Sequence, residues 1–157
     1  FAPKKTAEIR QAISATKLPF IIKGVLSIED ARRAAEIGAS AIIVSNHGWG
    51  AFDFGVPAIV ALPKIVKAVE GQLTVLVDSG FRTGNDAFKA LALGAKGVGF
   101  ATSIVSAASA GGAEGVEQFI GFINAELKRT MAICGCANLS AIDRSLLVAS
   151  PELRPWW

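Results

Sequence analysis

The sequence predicts an α/β fold in which βα units follow one another along a parallel sheet. Short β-branched and aliphatic runs alternate with Ala-rich amphipathic segments. The runs are continuously apolar rather than alternating, the pattern of strands covered on both faces. In addition, Asp30-Ala31-x-x-Ala34-x-x-x-Gly38-Ala39 recurs as Asp86-Ala87-x-x-Ala90-x-x-x-Gly94-Ala95, each copy leading into a strand. A repeat of this kind marks successive βα modules. The 157 residues suffice for one domain with a hydrophobic core. They are too few for a closed (β/α)₈ barrel, which takes roughly 200 or more. The expected architecture is half of such a barrel, four parallel strands with covering helices.

The elements follow in order. Thr6 to about Ser14 makes a short leading helix, and Phe20-Ile21-Ile22-Lys23 the first strand. Ser27 ahead of Ile28-Glu29-Asp30 is an N-cap with acids in the first turn, and Gly38 ends that helix. Ala41-Ile42-Ile43-Val44-Ser45 is the second strand. Val56-Pro57 opens a helix to about Val69, with Gly71 after it. Leu73 to Asp78 forms the third strand. Gly84 or Asn85 starts a helix that Gly94 ends, and Gly97-Val98-Gly99-Phe100 is the fourth strand. A long helix is expected from about Ala113 to Ile133, where Phe119, Ile120, Ile123, Leu127 and Met131 fall on a helical stripe. A short one closes the chain from Leu139 to Leu147, before a tail ending in Trp156-Trp157.

Composition excludes several function classes. The chain is 52% hydrophobic and 18% charged, with a mean hydropathy of +0.46, which is unlike a disordered segment. No uninterrupted apolar run reaches the length of a membrane span. Net charge is +3, but Lys and Arg are dispersed, so no nucleic-acid partner is expected. Cys134 and Cys136 are too few for a disulfide framework. With a single His in the chain, a zinc site of about four ligands is not expected either. They are read as thiols of a reducing, cytoplasmic setting. The opening Phe1-Ala2-Pro3-Lys4-Lys5 has no apolar signal segment and reads as the interior of a longer polypeptide.

Chemistry-bearing residues cluster where strands end, the place at which parallel α/β folds hold catalytic groups. Ser45-Asn46-His47-Gly48 follows the second strand, and His47 is the only side chain whose ordinary pKa lies near neutrality. Asp78-Ser79-Gly80-Phe81-Arg82-Thr83-Gly84 follows the third. Its small residues expose N–H groups, Arg82 adds a fixed charge and a helix N-terminus comes next, as a phosphate cradle requires. Lys23 ends the first strand, as a ligand-facing cation or a snorkelling edge residue.

Taken in order, Leu18-Pro19-Phe20-Ile21-Ile22-Lys23-Gly24-Val25, Ser45-Asn46-His47-Gly48, Asp78-Ser79-Gly80-Phe81-Arg82-Thr83-Gly84 and Ala90-Leu91-Ala92-Leu93-Gly94-Ala95 resemble the C-terminal half of the FMN-dependent α-hydroxy-acid dehydrogenase/oxidase family. The resemblance runs from about Ala2 to Leu147. It implies that the four strands are family strands five to eight, in a barrel that holds FMN at its C-terminal mouth. Residues 1–148 would form the half-barrel and 149–157 a C-terminal tail. Lys23 would contact the flavin N1/O2 edge, and His47 would be the base that takes the substrate proton. Ser45, Asp78, Ser79, Gly80 and Arg82 would bind the cofactor's ribityl chain and phosphate. The implied reaction is hydride transfer from a 2-hydroxy acid to FMN, giving a 2-oxo acid.

Two departures bear on that expectation. The family continues Ser-Asn-His-Gly-x-Arg, and its Arg clamps the substrate carboxylate; Gly50 stands there in this chain. The family's Gly-Arg-Pro after the last strand is Ala101-Thr102-Ser103, which lacks a second phosphate-binding Arg. The family's active-site tyrosines belong to the first half-barrel, and this chain has no Tyr. The resemblance therefore implies a fragment or degenerate member that needs a partner to supply strands one to four. Non-catalytic alternatives are a flavin- or phosphate-binding half-barrel and a self-assembling module. The expected partners are a small 2-hydroxy acid and either a second copy or a complementary half-barrel, with no membrane.

Overall fold

A computed structural model describes residues 4–49 and 54–157. Strands β1 (Ile21–Val25), β2 (Ala41–Val44), β3 (Thr74–Val77) and β4 (Gly97–Val98) form one parallel sheet in chain order. Among the described residues, α1 (Thr6–Ser14) precedes the strands, α2 (Ile28–Glu36), α3 (Ala58–Ala68) and α4 (Gly84–Ala92) connect them, and α5 (Thr102–Ile133) follows. Four parallel strands in chain order, with helices between them, are the half-barrel arrangement the sequence predicts.

Local signals act where the sequence puts them. Ser27 accepts the Asp30 N–H and starts α2. Gly38 and Gly94 take φ of +88° and +99°, the left-handed turn that releases the chain toward the next strand. Helix α4 begins at Gly84, one of the two expected starts, and its cap is Thr83. Its hydroxyl takes the Asp86 N–H while the Asp86 carboxylate accepts the Thr83 N–H.

The sheet has two unlike faces. Ile42, Val44, Val75 and Val77 are buried against Ala31, Ala34, Leu62, Ile65, Ala90 and Leu93 of α2, α3 and α4. Successive strand residues point to opposite sides, so Ile21, Lys23, Ile43, Thr74, Leu76 and Asp78 share the other face. That face is open: Ile21 is 46% exposed, and neither it, Ile43 nor Leu76 joins the buried cluster. This corrects the expectation of strands covered on both sides. An apolar run records what a strand can bury, and the helices described here supply cover on one side only.

A bulge sets Lys23 apart. Lys23 pairs with Ile43 and Val25 with Val44, so Gly24, at φ +92°, is the extra residue. Val25 thereby turns into the core, 3% exposed, while Lys23 stays on the open face.

The last helix is longer than its apolar stripe. It begins at Thr102 rather than near Ala113 and is broken at Gly111 and Gly112. The Ala- and Ser-rich first part has too few large apolar residues to show a stripe. The second part packs on α4 through buried Ile123 and through Leu127. In place of the expected closing helix are two short 3-10 turns, Leu139–Ala141 and Arg144–Leu146, capped by Asn138 and Asp143. Pro151–Trp156 forms a further 3-10 helix against α3. Lys64 Nζ lies 5.0 Å from the Trp156 ring centre and the Arg144 guanidinium 4.7 Å from that of Trp157. Among the described residues, no helix is long and apolar enough to cross a membrane.

Candidate active site

The C-terminal ends of β1, β2 and β3 bring four polar side chains into a closed ring. Lys23 Nζ donates to Ser45 Oγ at 2.8 Å and pairs with Asp78 Oδ2 at 2.9 Å. Ser79 Oγ donates to Asp78 Oδ1 at 3.0 Å and lies 3.3 Å from Ser45 Oγ. Two backbone donors feed the ring: His47 N–H reaches Ser45 Oγ at 3.2 Å and Gly48 N–H reaches Ser79 Oγ at 3.2 Å. A hydroxyl has one proton and two acceptor sites. Lys23 and His47 fill both acceptor sites of Ser45, so its proton points across to the Ser79–Asp78 pair. Ser45 is almost wholly buried, and among the described residues no buried side-chain polar atom lacks a partner.

The ring fixes the charge state of Asp78. Burial pushes the carboxyl up, but hydrogen bonds from Ser45, Lys23 and Ser79, with the Lys23 charge, outweigh it and hold it below the ordinary 3.8. Asp78 and Lys23 are therefore an ion pair, with side chains 14% and 39% exposed.

Two left-handed turns face each other above the ring. His47 and Gly48 have φ of +58° and +71°, Ser79 and Gly80 of +77° and +88°. Left-handed backbone at a non-glycine residue is strained and collects at functional sites. A Cβ added at Gly48 or Gly80 would meet nothing within 4 Å, so the space beside both turns is open to a ligand. These residues, with Lys23, Asp78, Arg82, Thr102 and Ser103, line a cavity of about 420 Å³. The structure thus brings Lys23, His47, Asp78, Ser79, Gly80 and Arg82 together. Ser45 lies beneath them in the ring, while Gly50 falls outside the described residues.

The expected phosphate cradle at the start of α4 is already engaged. Asp86 accepts the Arg82 and Thr83 N–H groups. Glu126 of α5 accepts the Gly84 N–H at 2.6 Å and the Asn85 side-chain amide at 3.0 Å. The Arg82 side chain remains on the cavity. The first turn of α5, where Ala101 offers no capping side chain, adds the Thr102 and Ser103 hydroxyls. Glu126 was invisible to sequence reasoning, since no local pattern connects it to a loop forty residues earlier. A cavity lined by an ammonium, a guanidinium, hydroxyls and glycines fits FMN by the chemistry of its donors.

The FMN-dependent dehydrogenase family model matches residues 2–149. Glycolate oxidase 3 of Arabidopsis thaliana is 46% identical over 138 residues, covering 88% of this chain and 38% of the relative. The 4-hydroxymandelate oxidase of Amycolatopsis orientalis is 42% identical over 144 residues, covering 92% and 40%. A peroxisomal (S)-2-hydroxy-acid oxidase of Oryza sativa subsp. japonica is 45% identical over 132 residues, covering 84% and 36%. A mandelate oxidase solved with benzoyl-formic acid matches with a TM-score of 0.88 and 42% identity, over 92% of this chain and 43% of its own. The chain spans well under half the length of these curated relatives.

Proposed function

The chain belongs to the FMN-dependent dehydrogenase family, and from that premise we propose that its strand ends form the charge-handling part of an FMN site that oxidises a 2-hydroxy acid to a 2-oxo acid. The observation that carries this reading is the meeting of Lys23, His47, Asp78, Ser79, Gly80 and Arg82 around one cavity. FMN, when bound, supplies the two-electron acceptor. The Lys23 ammonium has three donors; Ser45 and Asp78 take two, leaving one for negative charge at the flavin N1/O2 edge. Arg82 would pair with the cofactor phosphate, aided by the Thr102 hydroxyl. His47 accepts the substrate proton from the strained turn above the ring.

By sequence, Gly50 replaces the family arginine that clamps the substrate carboxylate, so this chain lacks that anchor. Activity therefore belongs to an assembly in which a complementary half-barrel or a second copy covers the open face of the sheet. We place the chain in the cytoplasm, and cell fractionation tests this against the peroxisome named for the rice relative. The absence of Arg at Gly50 and Thr102 favours a second reading, a flavin- or phosphate-binding module without turnover.

Titration of the chain with FMN, followed by flavin fluorescence, tests the cavity. Weak binding that is lost in both Lys23→Met and Arg82→Ala is expected; tight binding that survives both moves the flavin elsewhere. Anaerobic bleaching of bound flavin by lactate, glycolate or mandelate separates the two readings. Bleaching that disappears in His47→Ala establishes catalysis. No bleaching even when a first half-barrel is added establishes the binding module.

A further inference from the structure

We propose that Ser79 is a positioning residue: its hydroxyl ties the Lys23–Asp78 ion pair to the turn that presents His47. Three contacts converge on that one oxygen. It donates to Asp78 Oδ1, lies within hydrogen-bond reach of Ser45 Oγ and accepts the Gly48 N–H. Ser79 and Ser45 together receive two consecutive amides, those of Gly48 and His47. Both turn residues are left-handed, a conformation the backbone does not hold unaided at a histidine. The ring thus acts as a clamp on the turn, closed by one hydroxyl on each side.

Ser79 is itself left-handed, at φ +77°. Glycine would take this conformation without strain, so the hydroxyl is what the strained serine adds. Its side chain is used up inward, on Asp78, Ser45 and Gly48. That reassigns it from cofactor contact to support of the base. Any displacement of Asp78 or Lys23, as on loading of the cavity, passes through Ser79 to the backbone carrying His47.

The inference assigns a role within the proposed flavin site, yet its test needs no flavin. Hydrogen exchange of the assigned Gly48 and His47 amides is measured in the full chain and in Ser79→Gly, Ser79→Ala and Ser45→Ala. Both Ser79 variants should speed Gly48 exchange about tenfold, the shift that ~1.4 kcal/mol of lost hydrogen bonding gives, with a smaller effect on His47. Ser45→Ala should reverse the order. The ring signals of His47, the sole histidine, should move in Ser79→Gly even though that variant relieves backbone strain. A Ser79→Gly chain with unchanged Gly48 exchange and unchanged His47 ring signals would overturn the proposal, leaving Ser79 a strained loop residue. Unfolding of Ser79→Ala alone does not bear on the outcome, because Ser79→Gly takes the left-handed turn without steric strain. If FMN fails to bind while the exchange pattern holds, the flavin reading falls and the clamp stands.

Discussion

Lys23 and Asp78 depend on each other for their place at the end of the sheet. The folded Asp78 carboxyl lies below its ordinary value of 3.8, so the folded chain holds fewer protons there than the unfolded one. The stability this supplies is complete above that ordinary value and is lost as pH falls through the lower folded one. Asp78→Asn should therefore flatten the acid limb of a denaturant-midpoint profile while leaving its slope near neutrality unchanged. A steep acid limb in the variant would assign it elsewhere, such as to Asp143, lowered by its Ser145 hydrogen bonds. Arg82 makes a binding contact of another kind. Removing its charge-assisted bonds to a phosphate should cost about 1.5–3 kcal/mol, roughly ten- to a hundredfold in Kd, read by FMN titration of Arg82→Ala. The positions of these residues were legible because strand ends in parallel sheets are predictable. Their partners were not: Ser79 Oγ serves Gly48 across a separation of thirty-one residues, and no spacing rule reaches that far.

The α4–α5 contact shows what a close approach between helices demands. An ideal Cβ on Gly84 would stand 2.5 Å from both Ile123 O and Leu127 N, so α5 rests directly on the first turn of α4. Gly84→Ala must push the two helices apart and should cost about 1–3 kcal/mol, measurable as a lower urea midpoint. Glu126→Ala removes the carboxylate from the Gly84 N–H and should cost about 0.5–2 kcal/mol, as loss of a helix cap does. The sequence indicated that a helix begins at Gly84 or Asn85. It held no sign of why glycine is needed, because the steric demand comes from a helix forty residues on. Boundaries were clearest where one residue decides them, as at Ser27, Gly38 and Gly94. They blurred at α5, where Ala and Ser carry the helix without a stripe, and at β4, reduced to Gly97–Val98.

The molecule as a whole presents one finished face and one unfinished one. Ile21, Ile43 and Leu76 lie on the uncovered side, and among the described residues β1 and β4 each leave a strand edge without a partner in the sheet. Sedimentation should show association at micromolar concentration, reduced in Ile21→Lys, which places a charge on the edge strand without touching the buried cluster. A compact monomer unaffected by that change would show that the open face needs no cover.

The strand order has a consequence for how the chain reaches this shape. Each strand pairs only with those before and after it in sequence, one helix away, so no pairing waits for a distant segment to be synthesised. Loops closed over such short separations form early, and each βα unit can dock on its predecessor as it leaves the ribosome. Pulse-labelled nascent chains arrested after α3 should already protect the amides between β1 and β2, with β3 joining once it emerges. The α5 helix arrives after the sheet is complete, and until Glu126 is made the start of α4 holds only its local Thr83–Asp86 cap.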